Sequence, residues 1–281
     1  MDRCPIELLC YIFAEACTDD GQTGRALSLV SKRVRNASRR HALQSVALYG
    51  SEQISAFAAH LDKLDPQERR VRNLYLTDRR RVWMEYGSGK DRAEWLKERI
   101  AEDFHVTDPS RQYSSDAILS IFRHIAPTLR ICTLLFFDRY HERSLEMPFV
   151  ALRELTLYGS VFNYHGYLGP EIPLCPKLER LHVIQDFTMR GSLVRGVSRI
   201  SPSLTHLRIS RLVPSSLCAA DIVQGLEQML QKDPKSCERG GFPQTLKRII
   251  VQMSQQELID SHGILSVRAL CLLLPLARAH G

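Results

Sequence analysis

One spacing of apolar residues recurs along most of the chain: an apolar residue, two residues of any type, a second apolar residue, one further residue, and a third apolar residue. Side chains two residues apart share one face of a β-strand, so the second and third apolar residues indicate a short strand with one buried face. The middle positions of the seven occurrences are Val46, Leu74, Cys132, Leu155, Leu181, Leu207 and Ile249. Each occurrence predicts one strand.

Segments with helical spacing lie between several of these strands. Residues 51–64 and 115–126 carry apolar residues at intervals of three and four, which is the spacing of one helix face. Pro66 and Pro127 follow these segments, where a proline stops the helix. Strands that alternate with helices predict an α/β fold in which the strands are parallel.

The intervals between the middle positions indicate which kind of α/β fold to expect. Successive middle positions lie 28, 58, 23, 26, 26 and 42 residues apart. Most of these intervals fall within the roughly 20 to 29 residues of a leucine-rich repeat. An ordinary α/β domain with crossover helices has the same alternation and stays open as an alternative. The spacing favours an irregular leucine-rich repeat solenoid with parallel strands over residues 43–281.

Residues 1–42 follow a different pattern and are predicted to form a separate helical hairpin. Apolar residues at helical intervals in 6–16 and 27–37 indicate two short amphipathic helices, split by a polar loop. Thr23 is expected to cap the second helix. So small a unit cannot bury both apolar stripes internally, and some of these residues should face a partner or the repeats. The candidates are Pro5, Ile6, Leu8, Ile12 and Val34.

The N-terminal sequence resembles the F-box motif. The stretches that carry the resemblance are CPIELLCYIFAEAC and, after the loop, LSLVSKRVRNA. In fungal F-box-like proteins a leucine-rich repeat-like region follows the motif, as the repeat spacing does here. The matching positions are Pro5, Glu7, Leu8, Ile12 and Phe13 in the first half, and Leu27, Val30, Ser31 and Lys32 in the second. Cys4 and Val34 depart from the motif, in which leucine and an aromatic residue are usual at these positions.

This resemblance implies a substrate-recruiting subunit of a cullin–RING ubiquitin ligase of the SCF type. The hairpin of such a subunit binds the SKP-type adaptor protein, and its repeats hold a protein substrate, whose identity the sequence does not reveal. The residues implied to contact the adaptor are Pro5, Ile6, Glu7, Leu8, Ile12, Phe13, Leu27, Val30, Ser31 and Val34. The resemblance implies no catalytic activity in this chain.

Two other functions stay open, and the distribution of charge bears on the first of them. Lys and Arg outnumber Asp and Glu by 38 to 31, and much of the surplus lies in residues 25–40 and 69–81. Such runs suit an acidic partner protein or nucleic acid, and a basic second helix is compatible with a helix-turn-helix. Its loop would span residues 18–24, longer than the roughly 3–4 residues of that motif, so nucleic acid is less favoured. A scaffold whose hairpin only caps the repeats is the other alternative.

Two histidines are candidates for a substrate surface. His182 and His206 each lie next to an apolar strand position, and we expect them at equivalent places in adjacent repeats. On that expectation both side chains face the solvent side of the sheet. Exposed polar residues between buried ones need no function, so this interpretation stays open.

Several classes of protein and site are excluded at this stage. No apolar stretch approaches the roughly 18 residues of a membrane span, and the first residues lack the apolar core of a secretory signal. The eight cysteines lie singly among apolar residues or on one helix, which favours free thiols and a cytoplasmic or nuclear location. Residues 86–91, YGSGKD, lack two required residues of a P-loop. We therefore expect no metal, no cofactor and no enzymatic activity.

Overall fold

A computed structural model of the 281-residue chain describes residues 4–79, 110–136, 147–158, 173–185, 193–212, 216–230 and 241–253. The fold is mixed α/β, and seven parallel strands form one sheet in which each strand pairs with the next one along the chain. The stretch 86–91 lies outside the described residues, as does the end of the second basic run.

The strands lie where the apolar spacing places them. They are β1 (Ser45–Tyr49), β2 (Asn73–Thr77), β3 (Ile131–Leu135), β4 (Glu154–Tyr158), β5 (Arg180–Ile184), β6 (His206–Leu212) and β7 (Arg248–Met253). The seven middle positions pair side by side across the whole sheet, from Val46 opposite Leu74 to Leu207 opposite Ile249. The prediction of seven short parallel strands is confirmed.

Alternation along each strand gives the sheet two unlike faces. The second and fourth residues of most strands are buried apolar side chains, such as Leu76 and Leu134, and they belong to one large core. The first, third and fifth residues lie on the opposite side, which we call the open face. The neighbouring helices contribute side chains to the same core, so they pack on this side of the sheet.

Helices cover the core face of the sheet. They are α4 (Gly50–Lys63), α5 (Ser110–Ile125), α6 (Leu193–Ile200) and α7 (Leu217–Leu230). The helices predicted at 51–64 and 115–126 are confirmed, although α5 begins five residues earlier than expected. Arg69 is hydrogen-bonded to Nδ1 of His124 and the Asp62 carboxylate to Nε2, each at 2.7 Å. Because arginine only donates, His124 accepts at Nδ1 and donates from Nε2, which links α4 to α5.

The N-terminal region contains three helices where the sequence predicted two. They are α1 (Ile6–Ala16), α2 (Gln22–Val30) and α3 (Lys32–Ser38), which together we call the helical unit. Ser31 separates α2 from α3 with an extended backbone, φ −163° and ψ 164°. Its hydroxyl oxygen accepts a hydrogen bond from the Val34 backbone N–H at 3.2 Å, so Ser31 caps α3. The prediction of one continuous second helix is wrong for this reason.

Asp19, and not Thr23, stabilises the start of α2. The Asp19 carboxylate accepts hydrogen bonds from the backbone N–H of Gly21 at 3.0 Å and of Thr23 at 2.9 Å. The Thr23 hydroxyl donates to the same carboxylate at 2.6 Å, so Thr23 is a donor where the sequence suggested an acceptor. Gly21 precedes the helix with φ 97°, a conformation that glycine adopts without strain.

The helical unit packs against the segment that leads into the first strand of the sheet. The Gln44 amide, one residue before β1, donates to the Ala14 carbonyl of α1 at 2.9 Å. Gly24 of α2 lies so close to the backbone at Ala42 that a Cβ atom there would come within 2.4 Å of the Ala42 carbonyl oxygen. An ion pair between Arg39 and Glu68 adds a contact farther along the chain. The unit is therefore held at the end of the sheet that begins with β1.

The close approach at Gly24 predicts a specific loss of stability. Gly24→Ala should lower the free energy of unfolding by about 1–3 kcal/mol, because two backbones must separate to admit the methyl group. Alanine normally stabilises a helix by roughly 1 kcal/mol relative to glycine, so the sign of the change is diagnostic. Urea unfolding measures it. Arg25→Ala, at the exposed next position, is the control and should change stability by less than about 0.5 kcal/mol. Equal stability of the two variants would contradict the packing.

Candidate functional site

Helix α1 carries apolar side chains on two faces, and only one of them is buried. Leu9 and Phe13 are 3% and 2% exposed, and they pack with Val34 and Ala37 inside the helical unit. Leu8, Tyr11 and Ile12 on the other side are 57%, 72% and 54% exposed. Residues three and four apart are neighbours on a helix, so these three form one surface, which we call the α1 apolar face.

Contacts with α3 hold this face in position. The Cys10 thiol donates to the Ala37 carbonyl oxygen at 3.5 Å, and the Arg33 guanidinium donates to the Cys4 carbonyl just before α1. Together with the buried Leu9 and Phe13, these contacts fix the rotation of α1 about its axis. The exposed residues are therefore held outward by the packing of the residues beside them.

The structure divides the ten residues predicted to contact an adaptor. Seven of them are exposed: Pro5, Ile6, Glu7, Leu8, Ile12, Val30 and Ser31. Leu27 is half-buried, and Phe13 and Val34 lie in the interior of the helical unit. Three helices enclose an interior that the expected two-helix hairpin would not have, which is why Phe13 and Val34 point inward. These two residues support the surface from below and do not contribute to its area.

Two exposed apolar residues of the helical unit, Tyr11 and Leu29, are not among the predicted contact residues. Tyr11 lies three residues after Leu8 and belongs to the same face, a relation that the helical spacing contains. Leu29, next to Val30 near the end of α2, is also exposed. Leu29 lies two residues before the helix break at Ser31, which no apolar spacing indicates.

The open face of the sheet is the second candidate surface, and its charge is unevenly distributed. The open-face residues of β1, β2 and β3 include no Asp, Glu, Lys, Arg or His, the five residue types that can carry a charge near neutral pH. Those of β4 to β7 include Glu154, Arg180, His182, His206, Arg208 and Arg248. The C-terminal half of this face is therefore basic.

Polar contacts across the strands hold several of these side chains. Arg180 and Glu154 form an ion pair at 3.0 Å between β5 and β4. The Arg208 guanidinium donates to the Gln252 side-chain oxygen at 3.2 Å, and His182 Nε2 is hydrogen-bonded to the Ser210 hydroxyl at 2.9 Å. The basic residues are thus ordered along the sheet and still largely accessible.

Arg211 reaches the open face through an irregularity in β6. The register between β6 and β7 shifts after Ile209, and Arg211 has φ 59°, the only positive value at a non-glycine residue among the described residues. A bulge of this kind redirects a side chain. The Arg211 guanidinium donates to the Tyr158 hydroxyl at 3.3 Å and lies 5.8 Å from the centre of the Tyr158 ring, two strands away. Arg211 therefore crosses β5 on the open side of the sheet.

The two histidines do not occupy equivalent positions. His206 pairs with Arg180, and His182 pairs with Arg208, so the predicted alignment is wrong by two residues. The shared open face is confirmed, because a shift of two keeps a side chain on the same side of a strand. The pKa of His182 is lowered below its ordinary value. Partial burial is the larger cause, and the positive charge of the neighbouring Arg208 guanidinium is the second.

The six described cysteines are free thiols, as the sequence suggests, and Cys4 and Cys10 are only half-buried. Cys17, Cys132, Cys175 and Cys218 are buried free thiols. Burial raises the pKa of Cys175 and of Cys218 to about 12, so both stay protonated and unreactive. Within the described ranges, no three His, Cys, Asp or Glu side chains are grouped to hold a metal ion. No helix in that part of the chain is long and apolar enough to cross a membrane.

Comparisons with known proteins add no identity. No protein-family model matches the chain, and no curated protein is significantly similar to it. The functional argument therefore depends on the two surfaces themselves.

The environment of His182 predicts its titration. Its pKa is lower in the folded chain than in the unfolded chain, so the unfolded chain binds more protons below about pH 6.5. The stability that this residue contributes is complete above that pH and is lost as the pH falls toward the folded pKa. Arg208→Gln should raise the pKa of His182, as measured by NMR of the ring. Arg153→Gln, which removes a charge that does not perturb His182, should leave it unchanged. A wild-type pKa at or above the ordinary value would contradict this assignment.

Proposed function

We propose that this protein is a non-catalytic, substrate-recruiting subunit of a cullin–RING ubiquitin ligase. The observation that carries the proposal is the α1 apolar face, on which Leu8, Tyr11 and Ile12 are exposed while Leu9 and Phe13 anchor the helix from below. A contiguous exposed apolar surface on a small helical unit is typical of a protein interface. In this proposal the α1 apolar face binds the SKP-type adaptor.

The helical unit is interpreted as F-box-like. The motif residues Pro5, Glu7, Leu8 and Ile12 fall at the start and on the exposed side of α1, where a partner can reach them. Ser31, another motif position, forms the short link between α2 and α3. The sequence resemblance and the exposure of these residues thus support the same docking surface.

The remainder of the chain is interpreted as an irregular leucine-rich repeat solenoid. In a doubly wound α/β domain the strand order is rearranged and helices cover both faces of the sheet. Here the seven strands follow chain order, and α4 to α7 contribute their buried side chains to the core on one face of the sheet. This arrangement favours stacked repeats, and it leaves the open face as the surface on which a protein substrate would bind.

A capping role for the helical unit is a second candidate, and one observation favours it. The contacts of Gln44 with Ala14 and of Gly24 with Ala42 hold the unit at the end of the sheet that begins with β1. These contacts use residues other than Leu8, Tyr11 and Ile12, so capping and docking are compatible. Capping alone leaves the exposure of the α1 apolar face unexplained, and for that reason docking is the proposed function.

Nucleic-acid binding by the helical unit is less well supported. The connection between α1 and α2, residues 17–21, is shorter than the sequence indicated and still exceeds the roughly 3–4 residues of a helix-turn-helix. Helix α3, which carries most of the basic residues, is only seven residues long. The unit also exposes Leu8, Tyr11 and Ile12, and an apolar surface suits a protein partner.

The proposal is tested by titrating the full chain with the SKP-type adaptor of the same organism. We expect micromolar or tighter binding, because burial of each large apolar side chain contributes about 1.5–3 kcal/mol. Leu8→Asp/Ile12→Asp should weaken binding at least about 100-fold, since it replaces that burial with two charges that the interface must desolvate. Calorimetry measures the affinity, and circular dichroism verifies the fold.

Val150→Asp/Leu217→Asp is the matched control for this variant. It makes the same change in charge and hydrophobicity at two exposed apolar residues far from α1, and it should keep wild-type affinity. Equal weakening by both pairs, or no weakening by either, would contradict the assigned surface. A folded wild-type chain that does not bind the adaptor would leave capping as the function of the helical unit.

A further inference from the structure

The basic part of the open face has a layout that identifies a class of ligand. Arg180, His206 and Arg248 lie side by side at the start of β5, β6 and β7. Neighbouring strands are about 4.8 Å apart, so this row extends over roughly 10 Å. Arg208 lies two residues farther along β6, in the next row. The cations are therefore spread along a line and do not converge on one point.

Most of this charge is not neutralised by the described residues. Glu154 compensates Arg180. Arg208 bonds the neutral Gln252, and Arg211 bonds the neutral Tyr158. Within the described residues, neither these two arginines nor Arg248 has an acidic partner. Three cations on one exposed surface repel one another, and an anionic ligand would relieve that repulsion.

The backbone of Arg211 provides an independent observation. A non-glycine residue at φ 59° is strained, and such strain persists where the surrounding structure holds it and is often found at binding sites. This conformation places a third cation without an acidic partner among the described residues on the open side, above Tyr158 and beside the row of β5 to β7. A glycine would fit the backbone with less strain and would supply no charge.

We propose that the open face of β5 to β7 binds an acidic, Asp- and Glu-rich segment of a partner protein, with Arg208, Arg211 and Arg248 as the principal contacts. The identification of that partner as a ligase substrate rests on the proposed function. The binding surface itself does not. Arginine guanidiniums pair with carboxylates in a bidentate manner, and each arginine of this surface can take a separate carboxylate.

Other anions fit the layout less well. A single phosphate group is bound best where two or three cations converge, and the arginines here are distributed over several strands. Proteins that bind duplex nucleic acid with strong salt dependence make about 6–10 phosphate contacts, and the three arginines that lack an acidic partner within the described residues would supply fewer. A carboxylate-bearing chain matches both the spacing and the number of the cations.

The test uses the full chain and fluorescent peptides. A peptide of alternating Asp and Glu should bind, with an affinity that falls as salt is added, and a peptide of alternating Asn and Gln should not. Arg208→Gln/Arg248→Gln should weaken binding of the acidic peptide about tenfold or more. Arg123→Gln/Arg130→Gln removes the same net charge from exposed residues off the open face and should weaken it less than about twofold. Equal weakening by the two pairs would overturn the proposal.

Arg211→Gly separates binding from folding. It removes one cation and the backbone strain together, so the affinity for the acidic peptide should fall severalfold while the melting temperature is maintained or increases. Unchanged affinity would overturn the role of Arg211. Tighter binding of a singly phosphorylated peptide or of duplex DNA than of the acidic peptide would overturn the ligand class.

The adaptor titration distinguishes this proposal from the proposed function. Arg208→Gln/Arg248→Gln should keep wild-type adaptor affinity, and Leu8→Asp/Ile12→Asp should keep wild-type affinity for the acidic peptide. Peptide binding without adaptor binding would support this surface and remove its link to a ligase. Adaptor binding without peptide binding would overturn this surface and leave the proposed function intact.

Discussion

The seven strands must keep one common register, because a shift of one residue in any strand would move its buried side chains to the open face. Two apolar rows enforce this register, one through the middle positions and one two residues farther on, as at Leu134 and Leu157. Backbone hydrogen bonds just before the strands repeat with the same period: the Arg130 N–H donates to Arg72 O at 2.7 Å, and the Arg153 N–H to Arg130 O at 2.8 Å. Each repeat is thus positioned by its neighbour.

This constraint applies to one side of each strand and leaves the other side free. Residues of the open face contribute little to the core, so their chemistry can change from strand to strand without loss of register. The contrast between the neutral face of β1 to β3 and the basic face of β4 to β7 is an example. The bulge at Arg211 occurs near the end of β6, after the two buried residues Leu207 and Ile209 have set the pairing. A local irregularity there redirects a side chain at little cost to the sheet.

Apolar spacing predicted the strands, their parallel order and two helices, because burial repeats with a fixed period in each of these elements. It did not predict features that depend on single hydrogen bonds or on packing between elements. Ser31 caps α3 through a single hydrogen bond and so separates it from α2. Asp19, a polar residue that the apolar spacing does not include, stabilises the start of α2. Phe13 and Val34 turned inward because a third helix enclosed them. The role of Arg211 depends on a backbone conformation that residue type disfavours, so no propensity indicates it.

The two candidate surfaces are far enough apart to act independently. The helical unit contacts the chain just before β1, and the basic surface extends from Tyr158 of β4, above which Arg211 lies, to β7. Three strands at about 4.8 Å each separate β1 from β4 by roughly 14 Å, which exceeds the screening length of about 8 Å at physiological ionic strength. A charge at one surface therefore has little effect on affinity at the other. The contacts of Gln44 with Ala14 and of Gly24 with Ala42 join the helical unit to the sheet, so a partner bound to α1 would lie at a defined position relative to an acidic segment on β5 to β7. A subunit that presents one protein to another requires such a combination of energetic independence and fixed geometry.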